Sequence, residues 1–124
     1  MSEYHEEGLS EQAKDFHRMV KSVMEELEAV DWYNQRADVT NDQELKAVVE
    51  HNRDEEIEHA CMGLEWLRRK NPVFDEMLRT FLFRGDIPIT EIEESIEEGG
   101  EAESGEEESN SNGSLGLGNL RGGN

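Results

Sequence analysis

The segment DEEIEHACMGLEW, residues 54–66, has the composition of an amphipathic helix, but two positions on its apolar face are polar. Glu56 and His59 follow the spacing of three and four at which such a helix normally carries Leu or Ile. Burying an unpaired charge costs several kcal/mol, so this carboxylate and this imidazole need a partner. The segment therefore indicates a helix that packs against another element and holds a site in the contact.

The surrounding residues extend this helix over residues 43–70. Asn71 and Pro72 should end it, because proline disfavours helical geometry in the residue before it and suits the first turn of a new helix. A short third helix is expected over residues 73–83. The apolar face of the second helix consists of Leu45, Val49, Asn52, Glu56, His59, Gly63 and Trp66.

A longer helix is predicted upstream, over residues 10–38, which lack proline and glycine and begin after a candidate cap at Ser10. Glu26 is the only carboxylate on its apolar face. The turn formers of residues 38–44 then make a tight hairpin, with Asn41 or Asp42 as the cap of the second helix. The first helix has the apolar face Phe16, Met19, Val23, Glu26, Val30, Tyr33 and Ala37.

A two-helix hairpin leaves much of its apolar surface in water, and domains this small seldom hold a core without oligomerisation or metal. Each helix also has a second set of apolar residues, which suits a neighbouring subunit. The predicted fold is all-α: an antiparallel two-helix hairpin plus a short third helix, which completes a four-helix bundle by dimerisation. The second set consists of Val20, Met24, Leu27, Ile57, Cys61 and Leu64.

The sequence divides into three parts. Residues 1–90 form the helical domain, and residues 91–112 read as an acidic, disordered linker that is too poor in apolar residues to fold. In residues 113–124 three leucines return among glycines, which suggests a docking peptide on a flexible tether. Residues 91–124 carry 10 acidic residues against 1 basic residue.

Charge and hydropathy exclude several classes of function. The net charge of −19 repels phosphate backbones, so nucleic acid is not expected as a partner. No apolar run is long enough to span a membrane, and the N-terminus lacks the features of a signal peptide, so we expect a cytoplasmic protein. The lone Cys61 cannot form an intramolecular disulfide and is expected to be a small buried residue.

Diiron carboxylate sites in four-helix bundles take one Glu from each of two helices and a Glu-x-x-His pair from each of the other two. This chain has half of that set, in Glu26 and in Glu56 with His59. A twofold dimer would supply the other half, with two irons at the interface and Glu56 as the better candidate to bridge them. The donors suit Fe(II), Fe(III) or Mn(II), whereas a structural zinc centre would favour thiolates.

These three residues also fit two readings without a metal. Glu-x-x-His is a short pattern that acidic helices produce by chance. A buried polar layer, in which Asn52 is a candidate, could serve only to fix the register of a helical oligomer.

Further candidate residues surround this site. His51, Glu55 and Glu58 share a second helix face and could form a peripheral cation site, although they fit ordinary solvated charges as well. Glu25 and Glu28 could attract incoming iron or be ordinary exposed glutamates. Tyr33 could act as an outer-shell hydrogen-bonding group or weak ligand beside Trp32, with packing as the default role of both rings.

The sequence resembles the encapsulated ferritins, on SVMEELEAVDWYNQR (residues 22–36), HNRDEEIEHACMGLEWLRR (residues 51–69) and the terminal GSLGLGNLRG. This resemblance implies a half-ferritin that pairs to build a ferroxidase centre, with a ring of dimers, and a decamer as the expected assembly. It implies Glu26, Glu56 and His59 as iron ligands, Tyr33 and Trp32 near the centre, Glu25 and Glu28 at iron uptake, and His51, Glu55 and Glu58 at a peripheral site.

By the same resemblance, the C-terminal leucine and glycine motif is a targeting peptide for an encapsulin shell, inside which the protein would reside. The expected activity is ferroxidation, in which Fe(II) is oxidised by dioxygen and Fe(III) passes to storage in the shell. Two alternatives remain: a non-catalytic cargo or scaffold protein, and a manganese-dependent oxygen or peroxide enzyme on the same ligands.

Overall fold

The computed structural model describes residues 4–98, and all regular secondary structure in that part of the chain is helical. The predicted all-α class is confirmed. The predicted docking peptide at residues 113–124 and most of the predicted linker lie outside the described residues. None of the described helices combines the length and the apolar character that crossing a membrane requires.

The first helix, α1, comprises Glu11–Val39, about 43 Å of helix. Ser10 caps it, since its hydroxyl accepts a hydrogen bond from the backbone N–H of Ala13 at 3.0 Å. The absence of proline and glycine allows the helix to run unbroken, as predicted. It ends at Thr40, whose extended backbone turns the chain.

The second helix, α2, comprises Gln43–Lys70 and returns along α1. Its cap is Asp42, whose Oδ1 accepts hydrogen bonds from the backbone N–H groups of Glu44 at 2.9 Å and Leu45 at 3.1 Å. The sequence left Asn41 and Asp42 as alternatives, and the structure selects Asp42. The predicted tight hairpin is therefore present, with a connection of only three residues.

Small and branched side chains form the contact between α1 and α2. Val23 and Ala37 on α1 are buried, as are Val49, Ala60 and Leu67 on α2. Gly63 is buried among them. At the open end of the hairpin, the rings of Phe16 and Phe74 lie 6.2 Å apart between centroids.

The third helix, α3, comprises Pro72–Phe81, close to the predicted residues 73–83. Asn71 ends α2 and also starts α3, because its side-chain Oδ1 accepts a hydrogen bond from the backbone N–H of Phe74 at 2.8 Å. Arg68 near the end of α2 pairs with both Glu65 and Asp75. These contacts fix the turn between the two helices.

The chain divides into two units, the first ending at Leu78 and the second beginning at Arg79. The second unit contains a fourth helix, α4, at Ile89–Glu98, in which Ile92 is fully buried. The carbonyl of Pro88 accepts hydrogen bonds from the N–H groups of Glu91 and Ile92 and starts this helix. The sequence did not predict α4, since residues 91–98 were assigned to the disordered linker.

The outer faces of α1 and α2 expose large apolar side chains in the single chain. Met24 is 56% exposed and Leu27 54% exposed on α1, while Ile57 is 43% exposed and Met62 61% exposed on α2. Cys61 is exposed as well, so the prediction that it is buried was wrong for the single chain. Only one face of each helix is covered by the other helix, and Cys61 lies on the uncovered one.

Candidate metal centre

Glu26, Glu56 and His59 converge between α1 and α2, and we call them the metal triad. Each offers one ligand atom, and these three atoms all lie within 4.8 Å of one another. His59 Nδ1 lies 3.4 Å from a carboxylate oxygen of Glu56 and 3.6 Å from one of Glu26. Among residues 4–98, this is the only set of three acidic, His or Cys side chains with that geometry.

The two helices contribute to the triad in different ways. Glu56 and His59 are neighbours on one face of α2 because three residues separate them. Glu26 reaches them only because α1 packs alongside. The side chains of Glu26 and Glu56 are 28% and 25% exposed, whereas that of His59 is 44% exposed. The triad therefore lies at the edge of the hairpin contact and is open to solvent on one side.

The two carboxyl groups of the triad are close enough to share a proton. A hydrogen bond with Glu56, partial burial and the Glu56 charge raise the pKa of Glu26 above its usual range. The same hydrogen bond lowers the pKa of Glu56. Two carboxylates in one place repel each other, and a cation between them would remove that repulsion.

His59 faces carboxylates on both edges of its ring. Burial lowers the pKa of His59, but the hydrogen bond to Glu56 and the charges of Glu26, Glu56 and Glu55 outweigh burial and raise it overall. Its Nε2 lies 3.9 Å from Glu55 Oε1. A metal ion bound at Nδ1 would leave Nε2–H directed at a carboxylate, the usual arrangement for a metal-bound histidine.

The predicted peripheral site is only partly assembled. His51 Nε2 lies 3.9 Å from Glu55 Oε2, so Glu55 lies between His51 and His59 along α2. Glu58 is exposed and does not join a three-donor cluster within the described part of the chain. Sequence spacing placed the three residues on one face, but the structure links Glu55 to the triad histidine.

An open groove of about 320 Å³ runs along α1 beside the triad, and we call it the acidic groove. The guanidinium of Arg36 stacks over the rings of Trp32 and Tyr33, at 5.7 and 5.4 Å from their centroids. The predicted aromatic pair is thus held by a cation that the sequence did not single out. The lining residues are Glu25, Glu28, Ala29, Trp32, Tyr33 and Arg36.

A further polar contact joins the helices beyond the triad. Arg53 Nη1 donates a hydrogen bond to Asn34 Oδ1 at 3.1 Å, between α2 and α1. Sequence reasoning missed it and considered Asn52 instead as the residue that fixes register. Nothing in the spacing of Arg53 distinguishes it from an ordinary solvated charge, so only the packed hairpin reveals the pair.

The EncFtn-like family model matches residues 2–85. The encapsulated ferritin-like protein of Rhodospirillum rubrum is 51% identical over 120 residues, which cover 94% of this chain and 84% of that protein. The ferritin-like protein of Thermotoga maritima is 52% identical over 106 residues, with 84% of this chain and 92% of that protein covered. Both relatives therefore match most of the chain, including the whole metal triad region.

Two more similarities bear on fold and location. The encapsulin nanocompartment cargo protein EncC of Myxococcus xanthus is 35% identical over 51 residues, which cover 41% of this chain and 39% of that protein. The crystal structure of protein ne0167 from Nitrosomonas europaea aligns with a TM-score of 0.67 at 52% identity, and covers 71% of this chain and 98% of that one. At that identity the helical architecture is shared.

Proposed function

The chain belongs to the EncFtn-like family, and from this we propose that it is a ferroxidase, which oxidises Fe(II) to Fe(III) at a centre shared by two copies of the chain. The observation that carries the proposal is the convergence of Glu26, Glu56 and His59, whose ligand atoms lie within 4.8 Å of one another. Two carboxylates and one imidazole are the donor set that one half of a diiron carboxylate site requires.

The triad suits iron both in the charge of its carboxylates and in its oxygen and nitrogen donor atoms. The raised pKa of Glu26 reflects two carboxyl groups that crowd each other, and a divalent cation between them would relieve that repulsion. Hard oxygen donors with one imidazole favour Fe or Mn over a structural zinc ion. The carboxylates also favour Fe(III) over Fe(II), because the attraction grows with the charge of the ion.

One chain supplies too few donors for a closed centre. His59 is half-exposed at the open edge of the triad, where a second copy could add donors, and Met24, Leu27 and Ile57 of the second apolar set are exposed to contacts between copies. Burial of that surface would drive pairing, and a twofold axis beside the triad would bring two triads together. In that dimer Glu56, the carboxylate with the lowered pKa, is the candidate bridge between two irons.

The reaction needs few steps from the protein itself. Each triad would bind one Fe(II), and the two Fe(II) ions of a paired centre would each give one electron to dioxygen. Dioxygen would take up two protons to become hydrogen peroxide, and both ions would leave as Fe(III). Glu26, Glu56 and His59 would hold the ions in place through two carboxylates and one imidazole nitrogen. In the acidic groove, Glu25 and Glu28 raise the local concentration of cations near the triad. Trp32 and Tyr33 line the same groove.

The proposed partner, an encapsulin shell, is supported by the names of the relatives. The names of the R. rubrum and M. xanthus proteins describe an encapsulated protein and a nanocompartment cargo protein. We extend this to the chain as cargo of a cytoplasmic encapsulin shell, held through residues 113–124 and assembled as a ring of dimers, in the form of a decamer. Iron oxidised by such an open ring would be stored by the shell.

The decisive test is Fe(II)-dependent oxygen consumption by purified full-length protein. Glu26→Ala, Glu56→Ala and His59→Ala should each reduce the rate by at least about a hundredfold, because each removes a ligand. Asp38→Asn is a matched control, since it removes an exposed carboxylate from α1 outside the triad. Unchanged oxidation in the triad variants would favour a structural cargo protein instead, and native metal analysis would distinguish iron from manganese.

A further inference from the structure

Gly63 lies in the contact between α1 and α2, directly against Val23 and Met19. It is the only glycine between residues 9 and 84, and it occupies the interior of a 28-residue helix. Glycine weakens a helix there relative to alanine, because it loses more backbone freedom on folding. A Cβ atom at this position would lie 2.5 Å from Cγ2 of Val23 and 3.1 Å from Sδ of Met19. The glycine is therefore required by the packing.

The contact is directly adjacent to the metal triad. Gly63 follows His59 by four residues, about one turn along the same face of α2. Val23 precedes Glu26 by three residues on the facing side of α1. A separation of the helices at Gly63 would thus move Glu26 away from Glu56 and His59, which are fixed to each other by their common helix.

We propose that Gly63 is a positioning residue of the metal centre: its missing side chain lets α1 approach α2 closely enough for Glu26 to meet Glu56 and His59. The inference relies on the proposed function only for iron as the ion. The geometric claim, that the helix spacing at Gly63 sets the affinity of the triad for a divalent cation, holds for any ion that takes oxygen and nitrogen donors.

The alternative is that Gly63 serves packing alone. In that case Gly63→Ala would lower the stability of the fold, but the folded protein would bind a cation at the triad as tightly as wild type. Cation affinity separates the two roles, because a positioning residue changes affinity in a protein that is still folded. Val49→Ala is the matched control, since Val49 is buried in the same hairpin contact seven residues before Glu56, about 10 Å along the helix.

The experiment measures binding of Co(II) alone by full-length protein, with calorimetry for affinity and visible absorption for the coordination of the ion. Gly63→Ala should weaken binding about ten- to a hundredfold, the range typical of residues that orient metal ligands. It should change the absorption spectrum and raise KM for Fe(II) more than it lowers kcat. Val49→Ala should unfold at a lower temperature but bind Co(II) like wild type.

A second substitution tests the contact from its other side. In Gly63→Ala with Val23→Ala, the shorter side chain at position 23 makes room for the new Cβ, so affinity should return to within about threefold of wild type. If Gly63→Ala does not fold, Val23→Ile adds bulk at the same contact and should weaken binding while Gly63 remains.

Wild-type affinity in folded Gly63→Ala, or failure of the double variant to recover affinity, would overturn the positioning role. A wild-type protein that binds Co(II) but leaves Fe(II) unoxidised would refute the ferroxidase proposal and leave the role of Gly63 standing. A wild-type protein that binds no Co(II) would refute both.

Discussion

His59 Nδ1 lies 3.6 Å from a carboxylate oxygen of Glu26, although the two residues belong to opposite arms of the hairpin. Glu56 and His59 would be neighbours in any α-helix, but Glu26 joins them only in the packed hairpin. Formation of the site is therefore coupled to folding, and a cation that binds all three residues should stabilise the folded hairpin.

Glu26→Gln should separate the stability of the metal-free protein from its response to metal. The amide removes the crowding with Glu56 that raises the pKa of Glu26, so metal-free stability should stay equal or rise. At a Co(II) concentration of one hundred times Kd, the free energy of unfolding of wild type should increase by about 2.7 kcal/mol. That of the variant should increase by much less. Thermal unfolding with and without Co(II) checks both effects. A full metal-dependent shift in Glu26→Gln would contradict the assignment, and Asp38→Asn controls for the lost charge.

Met62→Glu should prevent pairing of chains while the triad residues stay intact. Met62 is 61% exposed on α2 and follows His59 by three residues, on the same side of the helix as the triad, and a charge there could not be buried cheaply against a second copy. Sedimentation analysis should give a smaller species, and Fe(II) oxidation should fall at least about tenfold because the centre is incomplete. Gln12→Glu adds the same charge at an exposed position and should change neither result. A fully active monomer would refute the shared centre.

Glu65→Gln should destabilise the protein at neutral pH but not in strong acid. Hydrogen bonds from Arg68 and Arg69 lower the pKa of Glu65 from 4.5 to about 2. Because the folded pKa lies below the unfolded one, the contribution is fully present above about pH 4.5 and is lost as the pH falls towards about 2. Denaturant unfolding of the metal-free variant and wild type along this range should give curves that converge. A constant difference would mean that the carboxylate charge is not the cause.

Asp42→Ala should cost about 1 kcal/mol of unfolding free energy, the usual loss for a helix N-cap. The Asp42 carboxylate accepts from two backbone N–H groups at the start of α2. Asn41→Ala, one residue earlier, should have little effect because Asn41 makes no such contact in the described structure. Equal losses in the two variants would argue that the connection tolerates either residue as the cap.

Removal of residues 113–124 should abolish loading into encapsulin shells and leave Fe(II) oxidation unchanged. The triad lies within the helical domain, far along the chain from the terminal leucines. Co-expression with the shell protein and purification of intact shells measures loading, and the oxygen assay measures activity. Replacement of Leu115, Leu117 and Leu120 by Ser is the milder form of the same test. Shells that still contain the truncated chain would refute the docking role.

The hairpin and the facing sides of its helices could be predicted because they depend on spacing along single helices, and the triad because all three of its residues lie on those facing sides. The helix bounds, the Ser10 cap and the inward direction of Glu26, Glu56 and His59 all follow from local chemistry and a period of 3.6. The helix α4 was missed because its residues share the glutamate-rich composition of the sequence that follows them. Pro88 and the spacing of Ile89, Ile92 and Ile96 were the available signal.

Contacts between side chains on different elements could not be predicted in the same way. Arg36 and Arg53 look like solvated charges in the sequence, yet one stacks on two aromatic rings and the other bridges the helices. Their partners depend on how far each side chain reaches once the hairpin has formed. The exposure of Cys61 likewise depends on which face α1 leaves uncovered.

The accessible thiol of Cys61, two residues beyond His59, gives the chain an attachment point for a probe without any engineering. A nitroxide bound there would lie close enough to the triad for a paramagnetic ion to broaden its spectrum. Because the thiol also lies on the uncovered face, the same label would lose mobility when another chain is pressed against it. One spectrum would then report both metal binding at the triad and association of the chains, and would show which of the two comes first.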